Sequence, residues 1–90
     1  MTACQVFYEG RVQGVGFRYS VRQIATGFDI AGWIRNLPDG RVELLAAGDA
    51  EEVAAFLQAI HDSDLGSFIR NHTHHEIPPP DTLRGFEIIH

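Results

Sequence analysis

The chain has 90 residues, a hydrophobic share of 44% and a formal net charge of −5. That length supports one small core, so residues 1–90 are expected to form a single domain. The acidic balance argues against a nucleic-acid partner, and no apolar run approaches the ~20 residues that a membrane span needs.

The opening stretch MTACQVFYEG lacks a basic flank followed by a long apolar run. No signal peptide is read there, and a cytoplasmic address is expected. Cys4 is the only cysteine, so no internal disulfide forms; it reads as a small buried hydrophobe. All seven basic residues are arginines. Five of them lie in residues 1–45 against four acids, whereas residues 46–90 hold two against eight. Arginine presents a planar fork that matches phosphate or carboxylate.

CQVFYEGRV (residues 4–12) reads as a first strand, with Val6, Tyr8 and Val12 on one face at period two. Phe17, Val21, Ile24, Ala25 and Phe28 then follow the spacing of an amphipathic helix, and Gly27 is a natural left-handed stop near its end. IAGWIRNL is a second strand and LPDG a hairpin turn, with Pro38 fixing φ and Gly40 free to adopt a positive one. RVELLAA is a third strand in which Val42, Leu44 and Ala46 alternate against Arg41, Glu43 and Leu45. Asp49 opens a second helix, where Glu52 stands at the spacing of a capping box and Val53, Phe56, Leu57 and Ile60 form the apolar stripe. GSFIRNHTHHE is a polar strand with a solvent face, a possible exposed edge. IPPPDTLRG is a loop, because Pro78–Pro80 leave the backbone few donors, and FEIIH closes as a last strand.

This β-α-β-β-α-β order predicts a ferredoxin-like split βαβ sandwich, an α+β fold with an antiparallel sheet and both helices on one face. The architecture hosts many functions, so the chemistry has to come from particular residues.

The stretch GRVQGVGFRYS joins the first strand to the first helix. At a helix N-terminus the backbone N–H groups have no internal partners and the dipole is positive. Gly14 and Gly16 permit tight, left-handed conformations that aim successive N–H groups into one concavity, a nest for an anion. Arg18 stands where its guanidinium can close over the same anion. The residues Gln13, Gly14, Val15, Gly16, Phe17 and Arg18 are therefore read as a loop for a phosphoryl group or similar oxyanion, with a plain turn as the alternative. The spacing matches neither the dinucleotide fingerprint nor the P-loop, so neither NAD nor ATP is indicated. No carboxylate set for Mg²⁺ stands near the loop, and no cofactor is expected. His72, His74 and His75 form HTHH. On a strand, residues 72 and 74 share a face and allow a metal pair, but no third ligand is evident, so solvated strand residues are the reading and no metal site is assigned.

The segments GRVQGVGFR (10–18) and GWIRNLPDGRVELLAAG (32–48), with the spacing between them, resemble the two signature segments of the acylphosphatase family, and RGFEII (84–89) is similar to its final strand. The His-rich region after the second helix departs from the family's more apolar fourth strand. The resemblance implies the ferredoxin-like fold, metal-independent hydrolysis of carboxyl-phosphate anhydrides, phosphate binding by Arg18 and orientation of the attacking water by Asn36. It also implies a small-molecule acyl phosphate as substrate, inorganic phosphate as product or inhibitor, and proximity of Asn36 to the loop. From position alone, Asn36 is equally a residue of the turn. Arg11, Arg22 and Arg35 read mainly as surface charges, and Trp33 and Tyr8 as packing residues.

The start at Met1 and the end soon after the last strand lead us to expect a stand-alone protein. A monomer is the separate expectation for its assembly. Two other functions compete with the hydrolase. One is a non-catalytic module that binds phosphate or carbamoyl phosphate. The other is an RNA-binding ferredoxin-like domain, suggested by GVGFRY; that motif belongs on a central strand, and here it precedes a helix.

Overall fold

The structure, a computed structural model, describes residues 1–90. Strand β1 (Thr2–Gly10) buries Ala3, Val6 and Tyr8, and helix α1 (Phe17–Ala25) buries Phe17, Val21 and Ala25. The helix does not end on a left-handed glycine as its sequence suggests, since Gly27 has no positive φ. The last turn tightens instead. Thr26, Gly27 and Phe28 donate to the carbonyls three residues back, and the Thr26 hydroxyl donates to Gln23 O at 2.6 Å. Strands β2 (Ile30–Asn36) and β3 (Val42–Gly48) form the expected hairpin, with Gly40 at φ 95° in its turn.

Helix α2 (Ala50–Asp62) begins after Asp49, but its capping box does not form. Glu52 Oε1 accepts the backbone N–H of Asp29 at 2.8 Å, so it pins the entry to β2 rather than its own helix. A short 3-10 turn (Asp64–Phe68) leads into β4 (Ile69–Ile77), and β5 (Phe86–Ile88) comes last.

The sheet order is β4-β1-β3-β2-β5. The three pairings among β1 to β4 are antiparallel, as expected: β1 with β3, β1 with β4 and β2 with β3. The fifth strand departs from the all-antiparallel expectation: β5 lies parallel to β2, with Gly32 opposite Phe86 and Ile34 opposite Ile88. The chain must therefore pass from one edge of the sheet to the other between β4 and β5.

One face of the sheet carries the main core. Val6, Tyr8, Ile34, Val42, Leu44 and Ala46 meet Phe17 and Val21 from α1 and Val53, Phe56 and Ile60 from α2. The amphipathic stripes of both helices end there, as their spacing requires. The reverse face is not simply solvated. Ala3, Leu45 and Ala47 are buried under Trp33, Ile77 and Leu83, the last reaching over from the segment between β4 and β5. Glu43, expected to point outward, is 5% exposed. Its carboxylate accepts from Gln5 Nε2 and Arg35 Nε, each at 2.7 Å. A central strand is covered on both faces whatever its alternation says, and a carboxylate there needs such partners.

Candidate active site

Because β1 and β2 flank β3 and both oppose it, they run in the same direction. Their C-terminal ends share one edge of the sheet. The chain leaves β1 at Gly10 (φ 131°), where the N–H of Arg11 donates to Phe68 O at 2.9 Å. A side chain at Gly10 would collide with that same carbonyl. The loop that follows is held from below by Val12 and Phe17, both buried, and by Val15, packed against the core. Between these anchors Gly14 (φ 77°) and Gly16 (φ 76°) take the left-handed conformation and face outward. Space is not the reason for glycine here, since an added Cβ would touch nothing at either position; the backbone conformation is.

The backbone N–H groups of residues 12–19 donate to no acceptor in the chain. The hydrogen bonds of α1 begin at Ser20, which donates to Gly16 O at 3.0 Å. A run of free donors thus surrounds the positive end of the helix. Arg18 takes part in neither of the two ion pairs in the structure, and its side chain lines a cleft of about 170 Å³ together with Gly14, Gly16, Phe17 and Asn36.

Asn36 enters the cleft from the other side. In β2, residues 32, 34 and 36 share the face that packs on the helices, because Asn36 pairs with Val42 and Ile34 with Leu44. Its Oδ1 is buried and has no hydrogen-bond partner. A buried acceptor left open beside a row of free donors is costly unless something small and polar comes to it.

Gln13 does not face the cleft. Its carboxamide nitrogen donates to Leu37 O and to Arg41 O, each at 2.9 Å, and so ties the loop to the turn just past Asn36. Val15 likewise contributes its backbone, with its side chain turned inward. Sequence reasoning singled out neither Tyr19 nor Ile88 for this cleft, yet both line it. Tyr19, 56% exposed, forms its rim. A large aromatic on the outer face of an amphipathic helix was the available signal. Of the other arginines, Arg35 is committed to Glu43 on the reverse face, at 2.7 Å, and Arg22 lies over the Tyr19 ring at 5.9 Å.

No carboxylate or imidazole lines the cleft. The shifted titratable groups lie elsewhere: burial pushes the Cys4 thiol and the Tyr8 phenol up, and burial followed by the neighbouring His72 lowers His61 and His74. What the cleft offers is a fixed cationic and dipolar cradle with one unpaired amide oxygen at its wall. That arrangement suits a phosphoryl group held from several sides and a water molecule held from one.

The likeness to known proteins points the same way. The family model described as acylphosphatase matches residues 4–88. An acylphosphatase from Trichormus variabilis is 42% identical over 83 residues, which is 92% of this chain and 81% of that protein. The crystal structure of acylphosphatase from Bacillus subtilis superposes with a TM-score of 0.90 at 34% identity, covering all of both chains. HypF from T. kodakarensis contains a similar region, with a TM-score of 0.86 and 32% identity, which covers 100% of this chain but 12% of that one. With both signature segments folded around one cleft and the match running almost from end to end, the chain belongs to the acylphosphatase family.

Proposed function

We propose that this chain hydrolyses acyl phosphates to a carboxylate and inorganic phosphate, with residues 1–90 acting as one domain in the cytoplasm. The observation that carries the reading is one cleft lined by Gly14, Gly16, Arg18 and Asn36, where backbone N–H groups without acceptors and the unpaired amide oxygen of Asn36 stand beside a guanidinium.

The phosphoryl group sits in the nest formed around Gly14 and Gly16, with the Arg18 guanidinium closing over its oxygens. In the transition state charge spreads over the equatorial oxygens, and donors already aimed at them stabilise it without reorganisation. Water lies against Asn36 and donates one hydrogen to Oδ1, which leaves its lone pair directed at phosphorus. The oxygen–phosphorus bond to water forms as the phosphorus–oxygen bond to the acyl group breaks. The carboxylate leaves with that electron pair and needs no proton. A neutral amide is a poor base, so the water's second proton passes to a phosphoryl oxygen. Tyr19 at the rim offers an apolar face to the acyl group.

A second reading has one observation in its favour: the same fold recurs as a small part of the much longer HypF chain. On that reading the cleft binds phosphate or carbamoyl phosphate without turning it over, as a module. Hydrolysis of benzoyl phosphate, followed by loss of ultraviolet absorbance in the presence of a chelator, separates the two. Turnover supports the hydrolase. Phosphate binding without turnover supports the module.

A further inference from the structure

Outside the lining of this cleft, helix α2 and edge strand β4 bring three imidazoles together. His72 and His74 stand opposite Tyr8 and Val6 in the β1–β4 register, which places both on the helix side of the sheet. His61, in the last turn of α2, faces them. His74 Nε2 and His72 Nδ1 are 2.8 Å apart, the His61 and His72 ring centroids are 4.5 Å apart, and one ligand nitrogen from each residue lies within 4.8 Å of the other two. His61 Nε2 is buried and has no partner. The three rings open onto a groove of about 520 Å³.

Two of these rings can satisfy each other with one N–H···N bond, and the third nitrogen remains orphaned. A cation with affinity for imidazole satisfies all three. We propose that His61, His72 and His74 form a site for a divalent transition-metal ion of the zinc class, with the fourth position open to the groove and filled by water. Zinc binds imidazole nitrogen at about 2.0–2.1 Å in a tetrahedron, which sets the nitrogens about 3.3 Å apart. Small rotations of the exposed His72 and His74 side chains about the partly buried His61 bring the observed spacing there. The ligand set is nitrogen only, which suits zinc, cobalt, nickel or copper and offers magnesium and calcium none of the oxygens they require.

An outer partner is also in place. Cys4 Sγ lies 3.9 Å from Nδ1 of His74, the ring nitrogen left over when Nε2 binds metal. Such contacts orient a ligating ring. His75 takes no part: the strand alternation turns it to the reverse face, against Phe7. The ion would fasten the exposed edge strand to α2, a contact otherwise made by few apolar groups. The site therefore serves the architecture and not the hydrolysis.

The test is calorimetric titration of the chelator-stripped full chain with zinc chloride, repeated with magnesium chloride. One equivalent of zinc at micromolar affinity or tighter, no magnesium binding and a higher melting temperature with zinc are expected. His61→Gln and His72→Gln should each weaken zinc at least tenfold, and His75→Gln should leave it unchanged. Cobalt should give the visible absorption of a tetrahedral complex, and benzoyl phosphate hydrolysis should be the same with zinc or with chelator. Circular dichroism of the metal-free variants shows that they are folded. The proposal fails if zinc does not bind below about 100 μM, an affinity worth only ~5.5 kcal/mol. It also fails if the folded His61→Gln and His72→Gln variants bind as well as the unaltered chain.

Discussion

The side-chain nitrogen of Gln13 donates to the carbonyl oxygen of Leu37 at 2.9 Å, and the same nitrogen reaches Arg41 O. The first contact joins the loop after β1 to the residue that follows Asn36, so it fixes the separation of the two halves of the cleft. Gln13→Leu keeps the volume and removes the donor. Both carbonyls keep a backbone donor, Gly40 N–H on Leu37 O and Leu37 N–H on Arg41 O, so the lost contacts cost only about 1 kcal/mol of stability. Turnover should fall about tenfold or more as Asn36 drifts from the loop, while inhibition by inorganic phosphate changes little. A variant that loses stability alone, with kcat intact, would reduce Gln13 to a structural brace.

Arg18→Ala should remove binding and chemistry together. The guanidinium is the only cationic side chain in the cleft, and loss of one preorganised donor to a developing charge costs about 10²–10³ in rate. Competition by inorganic phosphate in the benzoyl phosphate assay should disappear with it. Retained phosphate inhibition would assign the affinity to the backbone nest alone.

Asn36→Ala should separate the two functions. The expected loss is about 10²-fold or more in kcat, with phosphate inhibition within about threefold of the unaltered chain. Steady-state kinetics with phosphate as inhibitor measures both at once, and full activity in this variant would exclude Asn36 from holding the water.

Gly16→Ala probes the nest without touching a side chain. The site is spatially open, so the whole effect comes from φ 76° at the residue that caps α1. An alanine there costs about 1–2 kcal/mol. If the loop escapes the strain by relaxing, phosphate affinity drops more than thermal stability does. Isothermal titration with phosphate and a melting curve give the two numbers.

Asp39 links the turn to pH. The backbone N–H of Arg41 and then its side chain hold the Asp39 carboxyl below the usual carboxylate range. A group whose folded pKa is depressed contributes stability above its unfolded value and loses it as pH falls through the folded one. The melting temperatures of the unaltered chain and Asp39→Ala should therefore differ near neutrality and converge in acid. The difference is small, because the carboxylate is exposed.

Much of the fold follows from periodicity. The positions Gly32, Ile34 and Asn36 share a face by simple alternation, and the stripes of α1 and α2 name their own buried residues. The meeting of Arg18 with Asn36 does not follow from spacing. It depends on β1 and β2 running together on either side of β3, a property of strand order that no local pattern carries; the family resemblance supplied it. Glu43 was misjudged because alternation does not say which strand is central. Glu52 departs from the capping-box expectation because its carboxylate takes the N–H of Asp29, at the entry to β2, over one in its own helix. The third imidazole escaped notice because His61 belongs to a helix and meets HTHH only after α2 folds onto the sheet.

Strand β5 pairs Phe86 with Gly32 across everything that lies between, and Ile88 walls the cleft beside Asn36. Contacts of such separation are slow to close, because loop entropy is lost before they repay it. A chain with both helices and four strands in place is then an almost complete body with an unfinished cleft. Catalytic competence should return with the final docking of the sheet's far edge, making regained turnover a clock for the last step of folding.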